Sequence, residues 1–347
     1  MDKVKQHFAP FAHSRQSPAR SYCSQYCPAG PQTLPTDGLQ ITATGSAVPT
    51  PVSYRIRLPP TASSINVIVD PENTISAGNL ILFGIALFGA IASYSRPIRR
   101  LSEPEPTWSP WNLSIVAFSR YLWLVLLAIL FAPLAGDTLI GLIIPSRADD
   151  DRIRSIFATF VMQAGLIGVV LVAIQNRKWS LHSFFETSGV SWKVVFTHTG
   201  HLFFRYLPAI WLVGAFWGTI LYALNYLGFP ITAEPQIATQ WIAESSSITF
   251  LAVMGIMVVL TAPLSEELVF RGLLFRFLRE RSSARFALIL SSLLFALLHA
   301  SLHSFLPLLF IGLLLTKLYD DTRDIRTPIL FHLFFNLFSF LNLLLFP

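Results

Sequence analysis

Eight apolar segments alternate with polar loops, at about 77–95, 112–134, 153–174, 202–227, 247–270, 286–301, 304–319 and 328–346. A helix needs about 20 apolar residues to cross the hydrocarbon core of a bilayer. The sixth and seventh segments fall short and are expected to pack within a bundle rather than face lipid throughout. Three segments carry polar interruptions. Residues 261–275, TAPLSEELVFRGLLF, place Glu266, Glu267 and Arg271 in an otherwise apolar run, followed by Phe295-x-x-x-His299 and His332-x-x-x-Asn336. Ionisable groups at membrane depth are costly and mark candidate functional sites.

Composition sharpens this pattern. The 347 residues are 53% hydrophobic and 13% charged, against about a quarter charged in soluble domains. The fold class expected is all-α: a polytopic membrane helical bundle with about eight transmembrane segments. The alternating strands of a membrane β-barrel are absent. Residues 1–75 differ, holding ten of the 23 prolines and no span-length apolar run. They are expected to be a disordered tail, with short strands at Val52–Leu58 and Ile65–Val69 as the only candidate structure. No signal-peptide h-region follows the N-terminus. The expected organisation is therefore a tail at 1–75, membrane helices without a readable motif at 76–240, and a catalytic membrane core at 241–347. Cys23 and Cys27 lie in the tail without a second pair, so a zinc or disulfide site there has little support.

The net charge of +6 is explained by membrane orientation rather than by nucleic acid. If the tail is outside, sixteen of the 25 Lys and Arg fall on the inner side, among them Arg99, Arg177, Arg276, Arg285 and Arg326. Three (Arg147, Arg152 and Arg154) fall in an outer loop. The positive-inside rule then puts both termini outside, in the plasma membrane if the cell is bacterial. Trp108, Trp111, Trp179, Trp192 and Trp241 lie near segment boundaries and read as an interfacial belt. His182, His198 and His201 read as solvated residues of an inner loop.

Two levels of spacing suggest how the polar residues meet. Glu266 and His299 are equidistant from Ser282–Ser283, so an antiparallel hairpin turning there sets them at equal depth. On single helices, Glu267 and Arg271, Phe295 and His299, and His332 and Asn336 are i,i+4 pairs that share a face. Glu267 and Arg271 suggest an internal ion pair, which leaves Glu266 turned about 100° away. Pro263 frees a backbone carbonyl nearby. His303 shares the face of His299 and marks its outer boundary.

A desolvated Glu266 suits proton abstraction from water. His299 at the same depth can hold that water, and His332 and Asn336 can donate to the oxyanion formed when water attacks a peptide carbonyl. No Ser or Cys accompanies these groups as a nucleophile. EELVFR, F-x-x-x-H and H-x-x-x-N, in this order in successive segments, resemble the CPBP family of CAAX proteases and bacteriocin-processing enzymes, also called the ABI or type II CAAX endopeptidase group. The resemblance covers about residues 245–346. It implies a glutamate-dependent intramembrane endopeptidase in which Glu266 is the base and His299 assists. It also implies an oxyanion site at His332 and Asn336, and architectural support from Glu267, Arg271 and Phe295. No cofactor is expected. The alternative places zinc on Glu266, His299 and His332, since three protein ligands and a water make a catalytic zinc site. A non-catalytic scaffold, immunity protein or transporter is the reading from another class. The partners expected are membrane lipids and a protein or peptide substrate, lipidated or not.

Overall fold

The computed structural model describes residues 33–36, 39–44, 52–57, 65–69, 77–94, 108, 111–147, 150–180, 184, 190–229 and 237–345. The chain divides into two compact units, Met1–Ile75 and Ser76–Pro347.

In the first unit, where a tail is expected, the described residues are four short strands. Strands β1 (Thr33–Thr36), β2 (Leu39–Thr44), β3 (Val52–Arg57) and β4 (Ile65–Val69) form an antiparallel sheet in the order β1-β2-β3-β4. Its register pairs Ile41 with Ile56 and Tyr54 with Val67. The two strands anticipated from alternation, such as Val52, Tyr54 and Ile56 against Ser53, Arg55 and Arg57, are β3 and β4. β1 and β2 were hidden by turn-forming and proline residues. Pro35 lies in β1, an edge strand, where a missing N–H is tolerated.

Among its described residues the second unit is entirely helical. Its helices are α1 (Ala77–Tyr94), α2 (Ile115–Ile143), α3 (Asp151–Arg177), α4 (Trp192–Tyr226) and α5 (Ile237–Glu244). They continue with α6 (Ile248–Arg281), α7 (Ala284–Leu298), α8 (Phe305–Thr322) and α9 (Arg326–Leu345). All eight anticipated apolar segments are helices. Five of the described helices, α2, α3, α4, α6 and α9, are long and apolar enough to cross a membrane. Large side chains such as Leu130, Phe131, Leu142 and Phe216 stand exposed on them, as expected of surfaces that face lipid. The protein is an integral membrane protein. α8 is largely enclosed by its neighbours, whereas α7 leaves Phe286, Ile289, Leu297 and Leu298 exposed.

α4 begins at Trp192, ten residues before the apolar segment, so His198 and His201 lie on a helix rather than in a loop. His182 falls outside the described residues. Of the boundary tryptophans, Trp192 is exposed, but Trp111 differs from expectation. Trp111 is buried, stacked on Trp179 at 4.6 Å and on Phe184 at 5.3 Å, with the Arg276 guanidinium 4.5 Å from its ring. This is an aromatic–cation cluster that joins Trp111 to a hydrophobic core.

α2 and α3 form a hairpin whose close approach depends on Gly136. A Cβ there would stand 2.5 Å from the Ala158 nitrogen and 2.7 Å from its Cα. Both are backbone atoms, so the helices would have to separate. Gly136→Ala is expected to lower stability by about 1–3 kcal/mol, as overpacking does, and thermal unfolding in detergent measures it.

α6 is continuous but not uniformly α. Ile256–Thr261 and Leu268–Phe275 are π-helical, with Ala262–Glu267 between them. Such wide turns occur mostly at functional sites, where they redirect side chains and free backbone groups. Glu266 and Glu267 sit at the junction with the second π segment.

Candidate active site

α6 and α7 are joined at Ser282–Ser283, and Ser283 caps α7 by accepting from the Phe286 N–H. The hairpin therefore turns at the midpoint between Glu266 and His299, and the two are level. Glu266 Oε2 lies 3.9 Å from His299 Nε2 and 3.9 Å from His332 Nε2. That oxygen is buried and has no hydrogen-bond partner among the described residues. A separation of 3.9 Å is too long for a direct hydrogen bond. It suits two groups sharing one water, whose bonds of about 2.8 Å would meet at about 90°.

Each imidazole is aimed by a hydrogen bond on its other nitrogen. His299 Nδ1 donates to the Phe295 carbonyl at 2.7 Å. That carbonyl is an orphan of the helix end, because the His299 N–H bonds Ala296 instead. The chain then leaves α7 through Ala300, held in the left-handed region at φ 47°. His332 Nδ1 stands 2.9 Å from Glu267 Oε1. Glu267 is fully buried and ion-paired, hence an acceptor only, so Nδ1 carries the proton and Nε2 faces Glu266.

Glu267 and Arg271 form the ion pair expected of them, 2.8 Å apart and both fully buried. Arg271 also donates to Thr316 Oγ1 at 3.3 Å and to the Gly312 carbonyl at 3.0 Å, and its guanidinium lies 4.7 Å from the Phe295 ring. Phe295 contacts the His332 ring edge-on at 5.9 Å. One connected network thus runs from α8 through Arg271 and Glu267 to His332. Thr316 and Gly312 had not been singled out from the sequence. A lone threonine in the apolar run of α8, opposite a buried arginine, was the available signal.

Asn336 shares the cavity with His332, but its amide is engaged. Nδ2 donates to the Val258 carbonyl at 2.8 Å. The reason is in α6: the Ala262 N–H bonds Met257 rather than Val258, and the next donor in line would be Pro263, which has none. Pro263 frees a carbonyl, as the sequence suggested, and Asn336 satisfies it. We expect Asn336→Leu to cost about 1–3 kcal/mol, the penalty for stranding a buried acceptor. In a Pro263→Ala background, where residue 263 can donate, the loss should shrink. Equal losses in thermal unfolding would disconnect the two residues.

Glu266, His299, His332 and Asn336 line a cavity of about 590 Å³, within the usual range for ligand sites. Met162, Ile242, Leu308, Phe335, Phe340 and Leu343 supply much of its apolar wall. His303 is also on the wall, at an exposed position. Gln163, from α3, joins them as a buried amide that sequence reading missed. A single amide in the run FATFVMQAGLIGVVLVAI was its signal.

The donor set of one carboxylate and two anchored imidazoles has the chemistry of a catalytic zinc site. The spacing does not fit. Zinc bound at about 2.0–2.1 Å holds tetrahedral ligands about 3.3 Å apart, closer than the 3.9 Å from Glu266 to each histidine. Among the described residues, no group of three His, Cys, Asp or Glu is arranged to hold a metal.

Fold and site define a helical integral membrane protein with a glutamate–histidine chamber among its C-terminal helices. Residues 247–338 match the family described as type II CAAX prenyl endopeptidase Rce1-like, so the CPBP resemblance holds over that stretch. The chain is 30% identical over 137 residues to "Putative membrane peptidase YdiL" of Bacillus subtilis (strain 168), an alignment covering 38% of this chain and 55% of that protein. It is 29% identical over 139 residues to "UPF0177 protein YxdF" of Lactococcus lactis subsp. lactis (strain IL1403), covering 37% of this chain and 73% of that one. The chain thus spans about half the length of the first relative. No solved structure matches it significantly.

Proposed function

We propose that this protein is an intramembrane endopeptidase that hydrolyses a peptide bond with water activated by Glu266. The observation that carries the proposal is the buried, unpartnered Glu266 Oε2, 3.9 Å from two imidazole nitrogens on the wall of a cavity. Water held between Glu266 and His299 attacks the scissile carbonyl and gives one proton to Glu266. A new C–O bond forms and the carbonyl becomes an oxyanion. His332, in its imidazolium form, donates from Nδ1 to Glu267 and from Nε2 to that oxyanion, with Asn336 beside it contributing its second N–H. The intermediate then collapses: the C–N bond breaks and Glu266 passes its proton to the leaving amine. The match to a CAAX endopeptidase family supports a membrane-embedded peptide as substrate. The distribution of Lys and Arg supports an orientation with both termini outside.

The test is the purified full chain in detergent with a quenched peptide library, offered with and without a prenyl group, in the presence or absence of 1,10-phenanthroline. Cleavage that withstands the chelator is expected, and the prenyl arm separates CAAX-type substrates from unmodified peptides. Cleavage abolished by chelator would move the chemistry to a metal.

A further inference from the structure

The N-terminal half of the membrane unit contributes a polar group to the chamber. Gln163 on α3 is only 4% exposed, yet it lines the cavity that holds Glu266, His299 and His332. Its Oε1 accepts a hydrogen bond from the Thr261 hydroxyl, in the first π segment of α6. The same hydroxyl lies 3.1 Å from the Met257 carbonyl, and in this arrangement the amide nitrogen is the end that Thr261 leaves over. Among the described residues its nitrogen has no protein acceptor, and it is not fully buried. A membrane protein that buries an amide in an apolar helix and holds one end of it leaves the other for something else.

We propose that Gln163 Nε2 donates a hydrogen bond to a backbone carbonyl of a peptide bound in the cavity, and so sets the register of the scissile bond against Glu266. The proposal rests on the peptidase reading. Three observations support a peptide carbonyl as the acceptor. First, the group presented to the cavity is a neutral donor, suited to a carbonyl oxygen. Second, one N–H of the Asn336 amide is taken by Val258 and the other is assigned to the oxyanion, so Gln163 is the amide in the wall left to hold the rest of the peptide. Third, Thr261 precedes Glu266 by five residues, about 7.5 Å along the helix, which is the length of about two residues of extended peptide. A peptide lying along α6 would therefore meet Gln163 about two residues from the bond being cut. Gly214 and Gly218 of α4 also line the cavity, and a Cβ on either would meet no atom within 4 Å, leaving width for an extended main chain.

The experiment measures binding separately from cleavage. The full chain in detergent, carrying Glu266→Gln to prevent turnover, is titrated with a fluorescein-labelled pool of the quenched library peptides, followed by fluorescence polarisation. Two further variants are compared. Gln163→Glu keeps an oxygen for Thr261 and loses the amide donor, whereas Gln163→Met removes both without adding charge. Each is expected to weaken binding about tenfold, the usual worth of a hydrogen bond to a ligand in a desolvated site, with thermal unfolding unchanged in at least one of them. In the cleaving protein the same variants should raise KM about tenfold and shift the position of the cut. Undiminished binding in a folded variant overturns the proposal, as does a pool that binds neither protein. Binding that depends on Gln163 in a protein whose Glu266 form cuts nothing would support the peptide site and overturn the hydrolytic reading.

Discussion

Glu266→Gln is expected to lower peptide cleavage about a thousandfold, within the range that a positioned general base supplies, while the protein folds and unfolds as before. The substitution keeps the size of the side chain and an oxygen for the same water. It removes the ability to take a proton. Because Glu266 makes no direct hydrogen bond through Oε2, no structural contact is lost there. Parallel cleavage assays and thermal unfolding of the two proteins check both halves of the expectation. Full activity in the variant would eliminate Glu266 as the base.

Arg271→Ala is expected to cost about 3–5 kcal/mol, because removing one partner of a buried ion pair strands the other. Glu267 would be left fully buried with only His332 beside it, and Thr316 Oγ1 and the Gly312 carbonyl would lose the donor they now share. Yield and thermal unfolding in detergent should both fall. Glu267→Gln with Arg271→Met should recover much of the loss, since no uncompensated charge remains, and the Gln oxygen can still accept from His332 Nδ1. If the single variant were as stable as wild type, the pair would not be what holds His332 in place.

Much of the site was legible because membrane helices obey simple geometry. The equal spacing of Glu266 and His299 from Ser282–Ser283 needed only an antiparallel hairpin, and the turn falls there. The i,i+4 pair of Glu267 and Arg271 needed only helical periodicity, and the pair is 2.8 Å apart. The contacts that depend on broken periodicity were not legible. The bond between His332 and Glu267 joins helices 65 residues apart in sequence. The engagement of Asn336 follows from the π segment Ile256–Thr261 and from Pro263 just beyond it; that Pro263 frees a carbonyl could be foreseen, but the partner of that carbonyl could not. The early start of α4 was hidden because WKVVFTHTGH is of mixed polarity, although Val195 and Thr199 are buried there by packing. α5 was missed because eight residues, IATQWIAE, are too few to register as a span. In the first unit, β1 and β2 are four and six residues long, too short to give a readable period.

The central claim is that water held by Glu266 attacks the peptide carbonyl directly. Single-turnover cleavage in H2 18O, with mass spectrometry of both the product and the Glu266-containing fragment of the protein, tests it most directly. The account predicts one heavy oxygen in the new carboxyl group of the product and none in Glu266. Label in the Glu266 carboxylate, with an unlabelled first product, would show that Glu266 attacks the carbonyl itself through an acyl intermediate, and would contradict the account.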